Sequence, residues 1–239
     1  MRLDKYLCES TDLTRSQARS VLVGGEVTVN GEVIKHGTHL VRDGDDVRWE
    51  DETLALIGLR YIMLNKPAGY ECSLRNSQYP SVMNLLDVDK RDRLHTVGRL
   101  DVDITGLILI TDDGQWMHRI ISPRHRCDEV YLATLAEPLP ENAQDRLTAG
   151  IVLEDDDKPT LPAVLEQVDE RRARLTMQEG NYDQVRRMFA SLGSHVLTLH
   201  RERIGSVALD TDLQARESRY LTPAEVADLA QTSEGAGST

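Results

Sequence analysis

The chain has 239 residues, enough for one or two domains, and 40% of them are hydrophobic, enough to build cores. It carries 28 Lys and Arg against 40 Asp and Glu, and this net charge of −12, taken in bulk, argues against a nucleic-acid or membrane-surface partner. No apolar run approaches the roughly 18 residues of a membrane span. Cys8, Cys72 and Cys127 are too far apart, and odd in number, for a disulfide framework or a zinc site.

The opening MRLDKYLCES places charges where a signal peptide needs its hydrophobic stretch, so a cytoplasmic protein is expected. Leu3, Tyr6 and Leu7 stand at helical spacing. Thr14 with Gln17 forms a capping box ahead of Ala18, Val21 and Leu22, and Gly24-Gly25 ends that second helix. Val27-Thr28-Val29, Asn30-Gly31 and Glu32-Val33-Ile34 spell a hairpin with a type I′ turn. Asp43-Gly44-Asp45 then turns into a strand at Val47-Arg48-Trp49. Residues 1–50 therefore read as a small accessory module, followed by a polar linker over 51–59 that is expected to hinge.

A second unit covers 60–231. Tyr61-Ile62-Met63-Leu64 is a short apolar strand halted by Asn65-Lys66-Pro67-Ala68-Gly69, and Leu107 to Ile110 is a strand buried on both faces. Asp112 and Asp113, which could suggest a metal, are explained by a turn that caps a helix carrying Trp116, His118 and Ile120. Further strands are expected near Val130 to Leu135 and Arg174 to Met177. Val185, Met188, Phe189 and Leu192 mark an amphipathic helix closed by Gly193. Residues 232–239 read as a disordered tail. The class is α+β.

Charge is uneven along the chain. Residues 184–203 hold Arg186, Arg187, Arg201 and Arg203 against Glu202 alone, and residues 119–126 hold Arg119, Arg124 and Arg126 with no acid. Arg15 and Arg19 lie one turn apart on one helix face. Such zones on an acidic background can steer a polyanion to one cleft.

The segment Gly98 to Leu107, GRLDVDITGL, resembles the GRLDxxTxGL signature of the pseudouridine synthases of the RsuA/RluA superfamily. LNKPAGYECS, EVYLATL and EGNYDQVRRMF follow that family's order and spacing, closest to its small-subunit rRNA group. RLDKYL, TRSQA and GEVTVNG resemble an S4 (αL-like) RNA-binding domain. The resemblance implies an S4 domain before a catalytic domain built on a mixed, mainly antiparallel sheet with flanking helices. It implies isomerisation of one uridine of 16S rRNA, at position 516, with no cofactor and no metal. The rRNA is free or within an assembling small subunit, there is no membrane partner, and the enzyme is expected to be a monomer.

Chemistry alone does not separate Asp101 from Asp103, since both can face one way on an extended loop. The resemblance selects Asp101 as the catalytic carboxylate, acting on the ribose either as nucleophile or by promoting elimination. A buried carboxylate needs a cation to stay ionised, and helical geometry picks Arg186 as its partner, with Arg187 solvated or on a phosphate. Tyr131 matches the family's active-site tyrosine, expected to stack on the uracil and remove its C5 proton. Arg99 resembles the arginine that fills the gap left by the flipped nucleotide. Arg2, Arg15, Arg19, Lys66, Arg124, Arg126 and Arg187 complete the expected RNA contacts, although Lys66 also reads as support beneath the catalytic loop. Asn181 and Asp183 depart from the family's Arg and His. Two other readings are a synthase acting on 23S rRNA and an S4-type ribosome assembly factor.

Overall fold

Thr14 Oγ1 accepts from the Gln17 amide while the Gln17 side chain accepts from the Thr14 amide, so the expected capping box starts α2 (Arg15–Gly24). In the computed structural model, residues 1–75, 77–122, 127–154, 156–178 and 182–232 are described. They form two units, Met1–Leu59 with Asp87–Asp92, and Arg60–Leu86 with Arg93–Thr239. The tail expected to be disordered lies outside the described residues beyond position 232.

In the first unit α1 (Leu3–Ser10) and α2 pack Leu3, Leu7, Ala18 and Leu22 onto Val27 and Val47 of a four-stranded antiparallel sheet. β1 (Val27–Val29) and β2 (Glu32–Val33) are joined through Asn30 and Gly31, whose φ values of 53° and 84° are those of the expected type I′ turn. β3 (Val47–Trp49) pairs with β1, and β4 (Glu52–Thr53) turns back onto β3 through Glu50 and Asp51, at φ 53° and 65°. The first three residues of the expected linker, 51–53, thus belong to a hairpin. Its turn has no glycine, so the sequence pattern did not reveal it.

The second unit is built on a nine-stranded mixed sheet. Its strands are β5 (Tyr61–Lys66), β6 (His95–Val97), β7 (Thr105–Thr111), β8 (Glu129–Leu135), β9 (Val164–Gln167), β10 (Arg172–Met177), β11 (Val196–Ile204), β12 (Val207–Ala208) and β13 (Ser218–Tyr220). The order is β13-β5-β7-β11-β8-β10-β9, with β6 on β7 and β12 on β11. Among the described residues, β7–β11 is the parallel pairing of this sheet and the others are antiparallel. The α-helices described beside the sheet are α3 (Gly114–Ile121), α4 (Ala143–Ala149), α5 (Tyr182–Ser191) and α6 (Pro223–Thr232). Asp113 caps α3, accepting from the Gln115 and Trp116 amides at 3.0 Å, and Asp112 pairs with Arg60, so this acidic pair is structural as expected. Met63, Leu107, Leu109, Trp116 and Leu229 belong to a buried core cluster on one face.

Candidate active site

The sheet register sets a row across the second unit. Lys66 stands opposite Gly106, Gly106 opposite Arg201, Arg201 opposite Tyr131 and Tyr131 opposite Leu175. Side chains in such a row share a face. The row tightens at Gly106, where an added Cβ would meet the Arg201 carbonyl oxygen at 2.3 Å, and where φ is +103°. Only glycine permits that approach.

Above this face lies the loop over residues 98–104. Lys66, fully buried, donates from Nζ to the carbonyls of Asp101 (2.9 Å), Val102 (3.3 Å), Ile104 (2.7 Å) and Pro67 (3.1 Å). The Gly69 amide bonds Val102 O at 2.7 Å, and the Leu100 amide bonds Cys72 Sγ at 3.3 Å. The segment after β5 and the GRLD loop are therefore one braced unit, and Lys66 is its centre. The expected contact of Lys66 with an RNA phosphate is corrected: an ammonium with no exposed surface and its donors on main-chain carbonyls has none left for a phosphate. Burial pushes its pKa below the ordinary lysine value.

The Asp101 side chain is exposed at the end of this brace. Arg186 does not pair with it. Its Nη2 donates to Asp103 Oδ2 at 2.7 Å, so the expected partnership is corrected to the carboxylate two residues on. Arg187 pairs with Asp156 at 3.0 Å and also donates to the Glu154 carbonyl. The two arginines are equally open, at 37% and 35% side-chain exposure, so the helical face separates them less than expected. Arg99 lies on the rim of an open cavity of about 530 Å³, with Cys72, Met83, His95 and Met117.

Tyr131 is fully buried, and its hydroxyl donates to Glu129 Oε2 at 2.5 Å. The same oxygen receives Arg201 Nη1 at 3.2 Å, while Arg201 Nε holds Leu107 O at 2.8 Å. Burial drives the Tyr131 pKa far above the ordinary phenol value, with Glu129 adding to the rise and Arg201 opposing it. Sequence reasoning missed both Glu129 and Arg201. The available signal was alternation: Leu199 and Arg201 are two apart on a strand whose core-facing position is that of Leu199.

Among the residues expected to meet RNA, Arg15 and Arg19 are exposed on α2, whereas Arg2 is paired with Asp4 at 2.6 Å. Arg124, Arg126 and Asn181 lie outside the described residues. Among the described residues no group of His, Cys, Asp and Glu could hold a metal ion, and no helix is long and apolar enough to cross a membrane.

The second unit thus presents an exposed carboxylate, Asp101, on a loop locked from beneath by Lys66. Residues 60–191 match the family model described as RNA pseudouridylate synthase, and residues 1–47 match the S4 domain. Relatives include the ribosomal small subunit pseudouridine synthase A of Haemophilus influenzae, 47% identical over 96% of this chain and 99% of that one. The protein of the same name from Vibrio vulnificus is 49% identical over 95% and 98%. A crystal structure of a pseudouridylate synthase, 46% identical, superposes with a TM-score of 0.69 over 96% of this chain and 99% of that one. The chain belongs to the RNA pseudouridylate synthase family and carries an S4 domain ahead of the catalytic one. It is an isomerase. The exclusion of nucleic acid drawn from the bulk charge is thereby overturned, because that figure averages over basic and acidic zones.

Proposed function

We propose that the protein converts one uridine of 16S small-subunit rRNA, position 516, to pseudouridine, with Asp101 acting at the ribose of a flipped-out nucleotide. The observation that carries this is the braced loop: Lys66 fixes three of the loop's carbonyls, including that of Asp101, while the Asp101 side chain is left open to a ligand. Relatives named for the small ribosomal subunit, at 45 to 49% identity over nearly their whole length, support the substrate.

The chemistry balances without a redox partner or group donor. The bond from N1 to C1′ breaks, the uracil turns, C5 bonds to C1′, and the proton lost from C5 is matched by one gained at N1. Attack on C1′ by Asp101, or its promotion of elimination at the ribose, both require a carboxylate held close to the sugar, and a rigid loop supplies that placement. Tyr131 takes the C5 proton, and Arg99 fills the space vacated by the base, offsetting part of the few kcal/mol that flipping costs. Arg186, held by Asp103, brings positive charge to the same loop. Residues 1–50 act as the RNA-binding domain through Arg15 and Arg19, and the enzyme works in the cytoplasm as a monomer on small-subunit rRNA, free or within an assembling subunit.

The test is a map of pseudouridine in 16S and 23S rRNA from cells lacking the protein, complemented by the wild type or by Asp101→Asn. Loss of one 16S site, restored by the wild type alone, is expected. A lost 23S site with 16S untouched overturns the substrate, and restoration by Asp101→Asn overturns the role of Asp101.

A further inference from the structure

We propose that Glu129 is a positioning residue for the isomerisation: its carboxylate accepts the phenolic proton of Tyr131 while Tyr131 removes the C5 proton of the flipped uracil. This rests on the reading of Tyr131 given above.

Three observations carry it. Tyr131 and Glu129, two apart on β8, share one face, and the phenol already donates to Glu129 Oε2 at 2.5 Å. Arg201, 2% exposed, sits on that same oxygen at 3.2 Å, which places a fixed positive charge beside the atom that receives the phenol. Its Nε is taken by the Leu107 carbonyl at 2.8 Å, and its Nη2 is buried with no hydrogen-bond partner among the described residues. Glu129 alone in this cluster has a path to water: its side chain is 15% exposed, against none of Tyr131.

The consequence follows from burial. A phenol in this setting does not ionise ahead of the reaction, because its pKa is driven far up. It takes up a proton only while releasing its own. In that step the bond from C5 to hydrogen breaks, and its electron pair remains in the uracil ring. The hydrogen passes to Tyr131 Oη as a proton, and the proton already on Oη moves to Glu129 Oε2, which releases it to solvent. Among the described residues, the other charged or ionisable groups about this face are Lys66, whose donors are taken up by carbonyls, the buried thiols of Cys72 and Cys127, and Arg99, Asp101 and Asp103 on the loop above it. None of them touches the phenol oxygen. Contact between the uracil and Tyr131 requires that RNA binding uncover the ring, which has no exposed surface in the unliganded protein.

The experiment measures single-turnover isomerisation of a 16S rRNA transcript carrying ordinary or C5-deuterated uridine, with the full-length wild type, Glu129→Gln and Tyr131→Phe. Glu129→Gln is expected to be at least tenfold slower, with an isotope ratio of several-fold, at or above the wild-type ratio, because C5 deprotonation then limits the rate. A wild-type rate overturns the proposal, as does a slow variant whose isotope ratio falls to one, since a merely structural change slows other steps. Tyr131→Phe at the wild-type rate overturns the parent reading of the tyrosine. An inactive Tyr131→Phe beside a fully active Glu129→Gln removes the relay alone. If Glu129→Gln leaves Arg201 without a counter-charge and does not fold, Glu129→Gln with Arg201→Met removes both charges and is read in the same way.

Discussion

Lys66 and Asp101 divide the work of the site at the scale of single residues. Lys66 is buried with four carbonyl acceptors, and Asp101 is exposed on the loop those bonds hold. Lys66→Met leaves several buried carbonyls unpaired and is expected to destabilise the protein by about 3 kcal/mol, read in denaturant unfolding. Its affinity for rRNA should stay within about twofold of the wild type, since no phosphate contact is lost. An affinity loss together with a salt slope reduced by about 1 would instead return Lys66 to the RNA. Asp101→Asn should leave the thermal midpoint unchanged and abolish turnover.

Asp101 and Arg99 can be singled out in the sequence because they stand in a contiguous signature. Arg201 cannot be, because its role depends on a parallel pairing between strands almost a hundred residues apart, and an arginine in a strand reads by default as surface. The partner of Arg186 was misread for a related reason: Asp101 and Asp103 differ by two positions, and only the folded loop shows which one the guanidinium reaches.

At the scale of elements, the local signals were the legible ones. The capping box of α2 and the Asn30-Gly31 turn are written in adjacent residues, whereas the nine-strand order and the β7–β11 crossing are not. Gly106 marks that crossing, and Gly106→Ala is expected to cost more than about 3 kcal/mol, because the new methyl meets main chain that has no rotamer to yield. The docking of α6 gives a second case. Thr222 and Glu225 cap its N-terminus reciprocally, and Glu225 also receives both terminal nitrogens of Arg219, at 2.9 and 2.8 Å. These bonds hold the Glu225 pKa down at about 2, below an ordinary 4.5. Between those values the unfolded chain binds more protons than the folded one, so stability rises with pH. The contribution is complete above pH 4.5 and is lost as pH falls through 2. Since Glu225 is 24% exposed, screening limits it. Glu225→Gln should lower stability by about 1 to 2 kcal/mol at pH 7 and flatten the acid limb of a pH–stability profile. An unchanged limb would mean that other carboxylates govern acid unfolding.

At the scale of the whole molecule, a chain with 40 acidic residues and 28 basic ones binds a polyanion only if its free cations are concentrated. Several arginines are already committed within the protein: Arg2 to Asp4, Arg186 to Asp103, Arg187 to Asp156, and Arg219 to Asp210 and Glu225. Pairing lowers what each offers to a phosphate. Arg15 and Arg19, exposed one turn apart on α2, have no ion pair within the described residues, which motivates their proposed role on phosphates. If both neutralise phosphates, Arg15→Ala with Arg19→Ala releases two fewer counterions on binding. The slope of log K against log salt should then shrink by about 1.4 to 1.8, and affinity at low salt should fall more than affinity at high salt. A titration of rRNA binding across salt concentrations reads both quantities. An unchanged slope would show that this face of α2 is simply solvated and that the RNA-facing charge lies on the catalytic unit, around Arg99. The acidic surplus makes the measurement sensitive, because like charge elsewhere on the surface suppresses nonspecific binding and leaves the few local contacts to set the slope.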